Sequence, residues 1–347
     1  MAIIETKNLS KHFKVLNRRE GIVGALRDLT SADYRLIKAV DGVSFTIEEG
    51  EIVGYIGPNG AGKSTTIKMM TGTLKPTGGT ILVNGRVPHK NRQKNAQHIG
   101  VIFGQRTQLW WDLPVIESFK LLKEIYRVDN RTYQHQMERF NELADLRALY
   151  SQPVRNLSLG ERMLADVTAA FLHNPHVVFL DEPTIGLDVS VKAKMRELIK
   201  ELNQEHKTTI ILTTHDIGDV EALCNRIIII DKGSVIYDGD IQRVNALFGQ
   251  YRTLKAQVRP FRGEETVRLV QEGLSANFQT NGGHITVRTV DPGWINITVD
   301  QNEVPLMEVL NFALHTFDIK DVQIVEISME SVIRRVYGGA LQNRPAQ

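Results

Sequence analysis

The stretch Gly57-Pro-Asn-Gly-Ala-Gly-Lys63-Ser64-Thr65 gathers glycines, a lysine and hydroxyls directly after the apolar run Ile52–Ile56. It matches G-x-x-x-x-G-K-[ST] between a strand and a helix, the context that marks a phosphate-binding loop. Gly57, Gly60 and Gly62, with Asn59 and Ala61 between them, let the backbone turn so that its N–H groups face phosphate oxygens. A helix beginning near Gly62 adds its positive end. Lys63 is placed to reach the β- and γ-phosphates, Ser64 to ligate a divalent cation, and Thr65 to complete the cradle. Farther along, Val177-Val-Phe-Leu-Asp181-Glu182-Pro183 ends an apolar run in two carboxylates. Asp181 can sit beside the cation, and Glu182, pointing differently, can polarise an attacking water. Alone, such an acidic pair could simply cap a neighbouring helix; beside the phosphate loop that reading recedes.

These groups act together only if strands deliver them to one edge of a sheet. Ile52–Ile56, Ile99–Phe103, Val177–Leu180, Thr208–Leu212 and Ile227–Ile230 are short, continuously apolar and rich in β-branched residues. They predict strands buried on both faces, hence an α/β fold with a mostly parallel sheet and helices outside. The run ending at Asp231 turns through Lys232-Gly233-Ser234 into Val235–Tyr237, a hairpin signal. Composition changes near residue 248, dividing the chain into domains 1–247 and 248–347. The second reads strand (Thr253–Val258), helix (Gly263–Gly273), strand (His284–Val290), strand (Trp294–Val299), helix (Val304–Thr316), strand (Val322–Ile327), with a last helix over Met329–Tyr337. That β-α-β-β-α-β order predicts a small ferredoxin-like α+β domain.

The chain has 347 residues, 42% hydrophobic and 24% charged, enough for two ordinary globular cores. A net charge of +2 gives no basic footprint, so no nucleic acid is expected as a partner. The single cysteine, Cys224, excludes an internal disulfide and reads as a buried thiol in a reducing compartment. No apolar stretch reaches the ~20 residues needed to span a bilayer. The nearest, 163–180, is broken by Asp166, His173 and His176. The N-terminus lacks a signal-peptide layout. These features predict a cytoplasmic chain that can still dock on a membrane protein.

Further motifs carry a resemblance. Gln105 follows the Ile99–Phe103 run; Leu157-Ser158-Leu159-Gly160-Glu161-Arg162 opens a helix before Asp181; Ile185-Gly186-Leu187-Asp188 follows Pro183-Thr184; His215 ends the Thr208–Thr214 run. In this order, residues 1 to about 240 resemble an ABC-type ATPase, with antiparallel β and helical subdomains on its parallel core. The resemblance implies ATP and Mg2+ as ligands, with metal contacts from Ser64, Gln105 and Asp181 and catalytic roles for Glu182, Gln105 and His215. It also implies that a second copy pairs head to tail, each ATP lying between one phosphate loop and the partner's signature residues Ser158, Gly160 and Glu161. Asp188 would tie the copies, and Tyr34 is the expected adenine-stacking aromatic. Leu159 and Glu161 depart from the family's Leu-Ser-Gly-Gly-Gln, but Ser158 and Glu161 keep capping-box spacing.

The load on this motor is read from three regions. Trp110 and Trp111, in a loop after Gln105, form an expected contact with a separate transmembrane subunit, or pack on the chain's own helices. Residues 14–38 read as an inserted helical segment, with Ile22, Ala25, Leu26 and Leu29 on one face, resembling the extra helix of polysaccharide exporter ATPases. The tail resembles the C-terminal domain of drug-, daunorubicin- and viologen-type exporter ATPases. The expectation is the ATPase subunit of a bacterial ABC exporter, held on the inner face of the cell membrane by its permease. The alternatives are an importer ATPase and a soluble ABC ATPase acting on nucleic acid or ribosomes.

Overall fold

The computed structural model describes residues 1–16, 34–104, 106–214, 216–244, 251–279, 284–291 and 293–325, and of Ile217 the backbone alone. The roles expected of Gln105, His215, the helix at Ile22–Leu29 and the Met329–Tyr337 ending lie outside those residues. The chain divides into two compact units, Met1–Ile241 and Gln242–Gln347, a few residues before the composition change near 248.

In the first unit, β1 (Ala2–Leu16), β2 (Tyr34–Glu48), β3 (Ile52–Ile56), α1 (Lys63–Met70) and β4 (Gly78–Val83) are followed by α2 (Arg92–Ala96), β5 (Ile99–Phe103), α3 (Val115–Tyr126) and α4 (Asn130–Ala144). Then come α5 (Leu159–Phe171), β6 (Val177–Asp181), α6 (Val189–His206), β7 (Thr209–Thr213), α7 (Ile217–Leu223), β8 (Arg226–Asp231) and β9 (Ser234–Asp240). Six strands form one sheet in the order β5-β6-β7-β3-β8-β9, parallel except for the β8–β9 hairpin. Val177, Val178, Phe179 and Leu180 are wholly buried, as are Ile210, Ile211 and Leu212. Burying each such side chain contributes about 1.5–3 kcal/mol, which is why both sheet faces must be covered. Strands β2-β1-β4 form a separate antiparallel sheet whose Ile4, Leu9 and Phe45 share a core with Tyr55, Met69 and Phe179.

The structure narrows the segment read as helical over 14–38. Lys14, Val15 and Leu16 pair with Leu36, Arg35 and Tyr34, so both ends of that segment are antiparallel strand. The ladder bonds of a long ribbon set these residues' conformation, over the faint helical period that follows.

The second unit contains β10 (Tyr251–Val258), α8 (Glu264–Phe278), β11 (Ile285–Asp291), β12 (Trp294–Asp300), α9 (Leu306–Thr316) and β13 (Ile319–Val325). Its sheet runs β11-β12-β10-β13, antiparallel throughout. Leu254, Ala256, Ile295, Ile297 and Val299 alternate inward onto Val270, Leu274, Val309 and Ala313. α8 runs on past Gly273, where sequence reading had ended it. A Cβ on Gly273 would lie 3.0 Å from Phe317 Cζ, so this glycine answers to close packing and not to a helix stop.

Candidate functional site

Parallel strands put their C-terminal ends on one edge, and here β3, β6 and β7 deliver the polar groups there. Asp181 stands in register with Thr213, and β3 lies directly beyond β7. Gly57 begins the loop that leaves β3, and a Cβ on it would lie 2.1 Å from the Ile230 carbonyl oxygen. Gly62 caps α1 at φ +109°, and its Cβ would lie 2.4 Å from the Ala39 carbonyl oxygen. Neither position accepts a side chain. Gly60, also left-handed at φ +82°, has open space around it.

Lys63 folds back over the loop and donates from Nζ to the Gly57 carbonyl at 2.7 Å and the Pro58 carbonyl at 3.2 Å. Its burial lowers the ammonium pKa, opposed by the charges of Glu182 and Asp181. Ser64 Oγ donates to Asp181 Oδ2 at 3.2 Å, and Thr213 Oγ1 donates to Asp181 Oδ1 at 2.5 Å. Two hard oxygen ligands 3.2 Å apart suit neighbouring positions on octahedral Mg2+, where metal–oxygen bonds of about 2.1 Å put adjacent oxygens roughly 3 Å apart. Glu182 turns away at φ +56°, its N–H donating to the Thr213 carbonyl at 2.9 Å. One cavity of about 270 Å³ is lined by Ala39, Asn59, Gly60, Ala61, Gly62, Lys63, Ser64, Thr65, Asp181 and Glu182. Loop donors, a cation, oxygen ligands and a carboxylate thus meet in one place.

The signature residues are not among that cavity's lining. Ser158 caps α5 in a full capping box: its backbone N–H and its hydroxyl donate to Glu161 Oε2 at 2.8 and 2.7 Å, and Glu161 N–H donates to Ser158 Oγ at 3.3 Å. Gly160 packs against α6, where a Cβ would meet Val191 Cγ1 at 3.0 Å. Asp188 caps α6, accepting from Val191 N–H at 2.9 Å. Tyr34 sits at the far end of the β1–β2 ribbon opposite Leu16, 58% exposed. It lies five residues from Ala39, roughly 17 Å along an extended strand. Trp110 and Trp111 are 39% and 49% exposed, with Arg162 5.3 Å from the Trp111 ring.

Several neighbours of these groups carry no motif of their own. Phe13 pairs with Ile37, two residues from Ala39, and so stands nearer the phosphate loop than Tyr34 does. Asp219, wholly buried, accepts from Thr184 Oγ1, from Thr214 Oγ1 at 3.3 Å, and from Arg196 Nε at 2.7 Å. It thereby joins the segment after Glu182 to the end of β7 and to the helix that Asp188 caps. Asp166 on α5 is buried, and burial lifts its carboxyl pKa to about 6. In a single sequence nothing marks these residues, because their partners are remote in the chain.

Residues 40–185 match the ABC transporter family. The chain is 35% identical to the ABC transporter ATP-binding protein NatA of Bacillus subtilis, over 60% of this chain and 84% of NatA. It is 28% identical to the linearmycin resistance ATP-binding protein LnrL of the same organism, over 88% of this chain and 95% of that protein. It is also 29% identical to the methionine import ATP-binding protein MetN 2 of Enterococcus faecalis, over 70% of this chain and 66% of that protein. Among solved structures, a dimeric ATP-binding cassette in a post-hydrolysis state with ADP and phosphate matches at TM-score 0.56 and 26% identity, over 69% of this chain and 98% of that one. The fold is thus that of a phosphate-loop ABC ATPase, and a chain spanning most of NatA with this loop and acidic strand end belongs to the ABC transporter ATP-binding family, as the ATP-hydrolysing subunit of a transporter.

Proposed function

We propose that this chain drives an exporter, working as a head-to-tail pair of copies with two ATP and Mg2+ between them. The observation that carries the paired reading is the separation of Ser158 from the cavity that gathers Lys63, Ser64, Asp181 and Glu182. The solved cassette similar to this chain is dimeric, which supports pairing of copies.

Within each site, the phosphate-loop N–H groups and Lys63 bind and orient the nucleotide tail. Ser64 and Asp181 would hold Mg2+ with Gln105, and the metal when bound supplies neutralisation of phosphate charge. Glu182 accepts a proton from the attacking water, and by the family resemblance His215 would hold the γ-phosphate. Ser158, Gly160 and Glu161 present a helix start to the ATP of the other copy, and Asp188 contributes to the contact between copies. Phe13 is a better-placed adenine platform than Tyr34, by its pairing with Ile37, two residues from Ala39. ATP would close the pair and hydrolysis reopen it.

Residues 1–247 carry the motor. Residues 248–347 are read as a ferredoxin-like accessory domain, a reading supported by the element order and the sheet order. Among the described residues no helix is long and apolar enough to cross a membrane. The similarity to transporter ATP-binding proteins supports spanning subunits on separate chains, docked at Trp110 and Trp111 and at the 14–38 segment. The chain would then sit peripherally on the cytoplasmic face. The similarity to LnrL along nearly its full length supports export, and MetN 2 keeps import as the competing direction.

The test is the mass of Glu182→Gln with Mg2+ and ATP, measured by light scattering. The mass should double with ATP and stay single without it; a single mass in both conditions overturns the paired reading. Vectorial transport in vesicles reconstituted with the chain and the membrane subunit that co-purifies with it separates export from import.

A further inference from the structure

The loop that follows Gln105 is fastened on both sides of Ser158, to the signature helix after it and to the Val154–Asn156 turn before it. After the serine, Asp166 on α5 accepts at Oδ1 from Thr107 Oγ1 at 2.9 Å and from Gln108 N–H at 3.0 Å. Gln108 Nε2 adds a third bond, to the Asp166 carbonyl at 2.9 Å. One turn earlier on the same helix face, the Arg162 guanidinium lies 5.3 Å from the Trp111 ring. Before the serine, Arg155 N–H donates to the Trp111 carbonyl at 2.9 Å and Val154 N–H to the Leu113 carbonyl at 3.0 Å. The Arg155 side chain closes an ion pair with Asp112 at 2.8 Å. Ser158 therefore sits between two attachments of one loop.

We propose that Asp166 is a positioning residue for the signature serine: it clamps the Thr107–Leu113 loop to α5, so that the exposed tryptophan loop and Ser158 move as one body. The proposal rests on the paired reading above, because Ser158 acts there on the ATP of the other copy. Three observations favour it over packing alone. Asp166 is 3% exposed, and a buried carboxylate is costly unless something uses its acceptors. Its bonds go to a loop and not to the neighbouring turns of its own helix, so they set position and do not cap. The Arg162–Trp111 cation–π contact and the Arg155 contacts repeat the attachment independently, so a load on the tryptophans reaches both flanks of Ser158. A subunit docking there would thus reposition the serine directly.

The clamp predicts which changes are tolerated. Asp166→Asn keeps an acceptor for Thr107 and for Gln108 N–H, whereas Asp166→Ala keeps none. With Asp166→Ala, kcat for ATP hydrolysis should fall by roughly tenfold or more, since misplacing a group by about 1 Å can cost about 100-fold. Affinity for a fluorescent ATP analogue should stay within about twofold, because the phosphate loop lies in a separate cavity. Asp166→Asn should restore most of kcat.

Mixing supplies the decisive readout. Asp166→Ala carries an intact phosphate loop and a displaced Ser158; Lys63→Ala carries the reverse. In a mixed pair, one site joins the intact loop to the intact Ser158, so an equimolar mixture should exceed the activity of either variant alone. The proposal is overturned if Asp166→Ala keeps full kcat, if Asp166→Asn is as impaired as Asp166→Ala, or if the mixture shows no recovery. A parallel mixture of Ser158→Ala with Lys63→Ala tests the paired reading itself: no recovery there overturns that reading, while recovery there alone overturns only the clamp. Should Asp166→Ala fail to fold, Thr107→Val with Gln108→Ala removes the side-chain bonds from the loop side and is held to the same outcomes.

Discussion

At the scale of single residues, Glu182 combines a carboxylate in the phosphate-loop cavity with a left-handed backbone, φ +56°. A non-glycine residue in that region costs of order 1 kcal/mol or more, and such strain persists where the surroundings fix it. Here the bond from Glu182 N–H to the Thr213 carbonyl does so. Glu182→Gln should lower kcat by about 100- to 10,000-fold, the usual range for a lost general base, with nucleotide affinity preserved; steady-state hydrolysis alongside equilibrium binding checks this. Asp166 carries a pH dependence of its own. Its carboxyl titrates at about 6 in the folded chain against 3.8 ordinarily, so the folded state holds the proton more tightly. Its contribution to stability is complete below pH ~4 and lost as the pH rises through ~6, a difference of about 3 kcal/mol. Asp166→Asn should melt above the wild-type protein at pH ~7.5, and the gap should close toward pH ~4.5. Lys63 and Ser64 were legible because phosphate chemistry demands contiguous residues. Asp219 and Arg196 were not, because they meet only once α6 and α7 have packed.

Among the elements, the strands were the most legible, since a run such as Ile227–Ile230 has only the interior of a sheet to occupy. Helix limits were less so, as the glycine at 273 shows. The phosphate loop depends on its glycines through space and not only through flexibility. Gly62→Ala would set a methyl 2.4 Å from the Ala39 carbonyl and strain φ +109°, whereas Gly60 has room around it. Gly62→Ala should therefore abolish nucleotide binding and lower stability by more than about 1 kcal/mol, with Gly60→Ala milder in both; thermal melting and ATP-analogue titration compare them. At the far end of the β1–β2 ribbon, residues 14–16 and 34–38 are strand where the sequence suggested a helical segment, because Val15, Leu36 and Ile37 are exposed and show no buried face for alternation to reveal.

For the whole molecule, each unit has its own core, one around Tyr55 and Phe179 and the other around Leu254 and Ile297. Residues 1–241 expressed alone should bind an ATP analogue with affinity within about threefold of the full chain. A much larger loss, measured by the same titration, would mean that the second unit supports the nucleotide site. The order of elements in that second unit could be read from alternating apolar residues, whereas its role cannot, since its core is built from aliphatic side chains that carry no chemistry. The capping box of α5 also bears on two copies meeting. The Ser158 hydroxyl already donates to Glu161 Oε2 at 2.7 Å, an anionic acceptor supplied by the same helix. Under the paired reading, a phosphate reaching that serine from another copy would have to displace a carboxylate, not water. Association would then gain only the difference between two charged acceptors, so the capping carboxylate of Glu161 would compete with the incoming nucleotide for the serine.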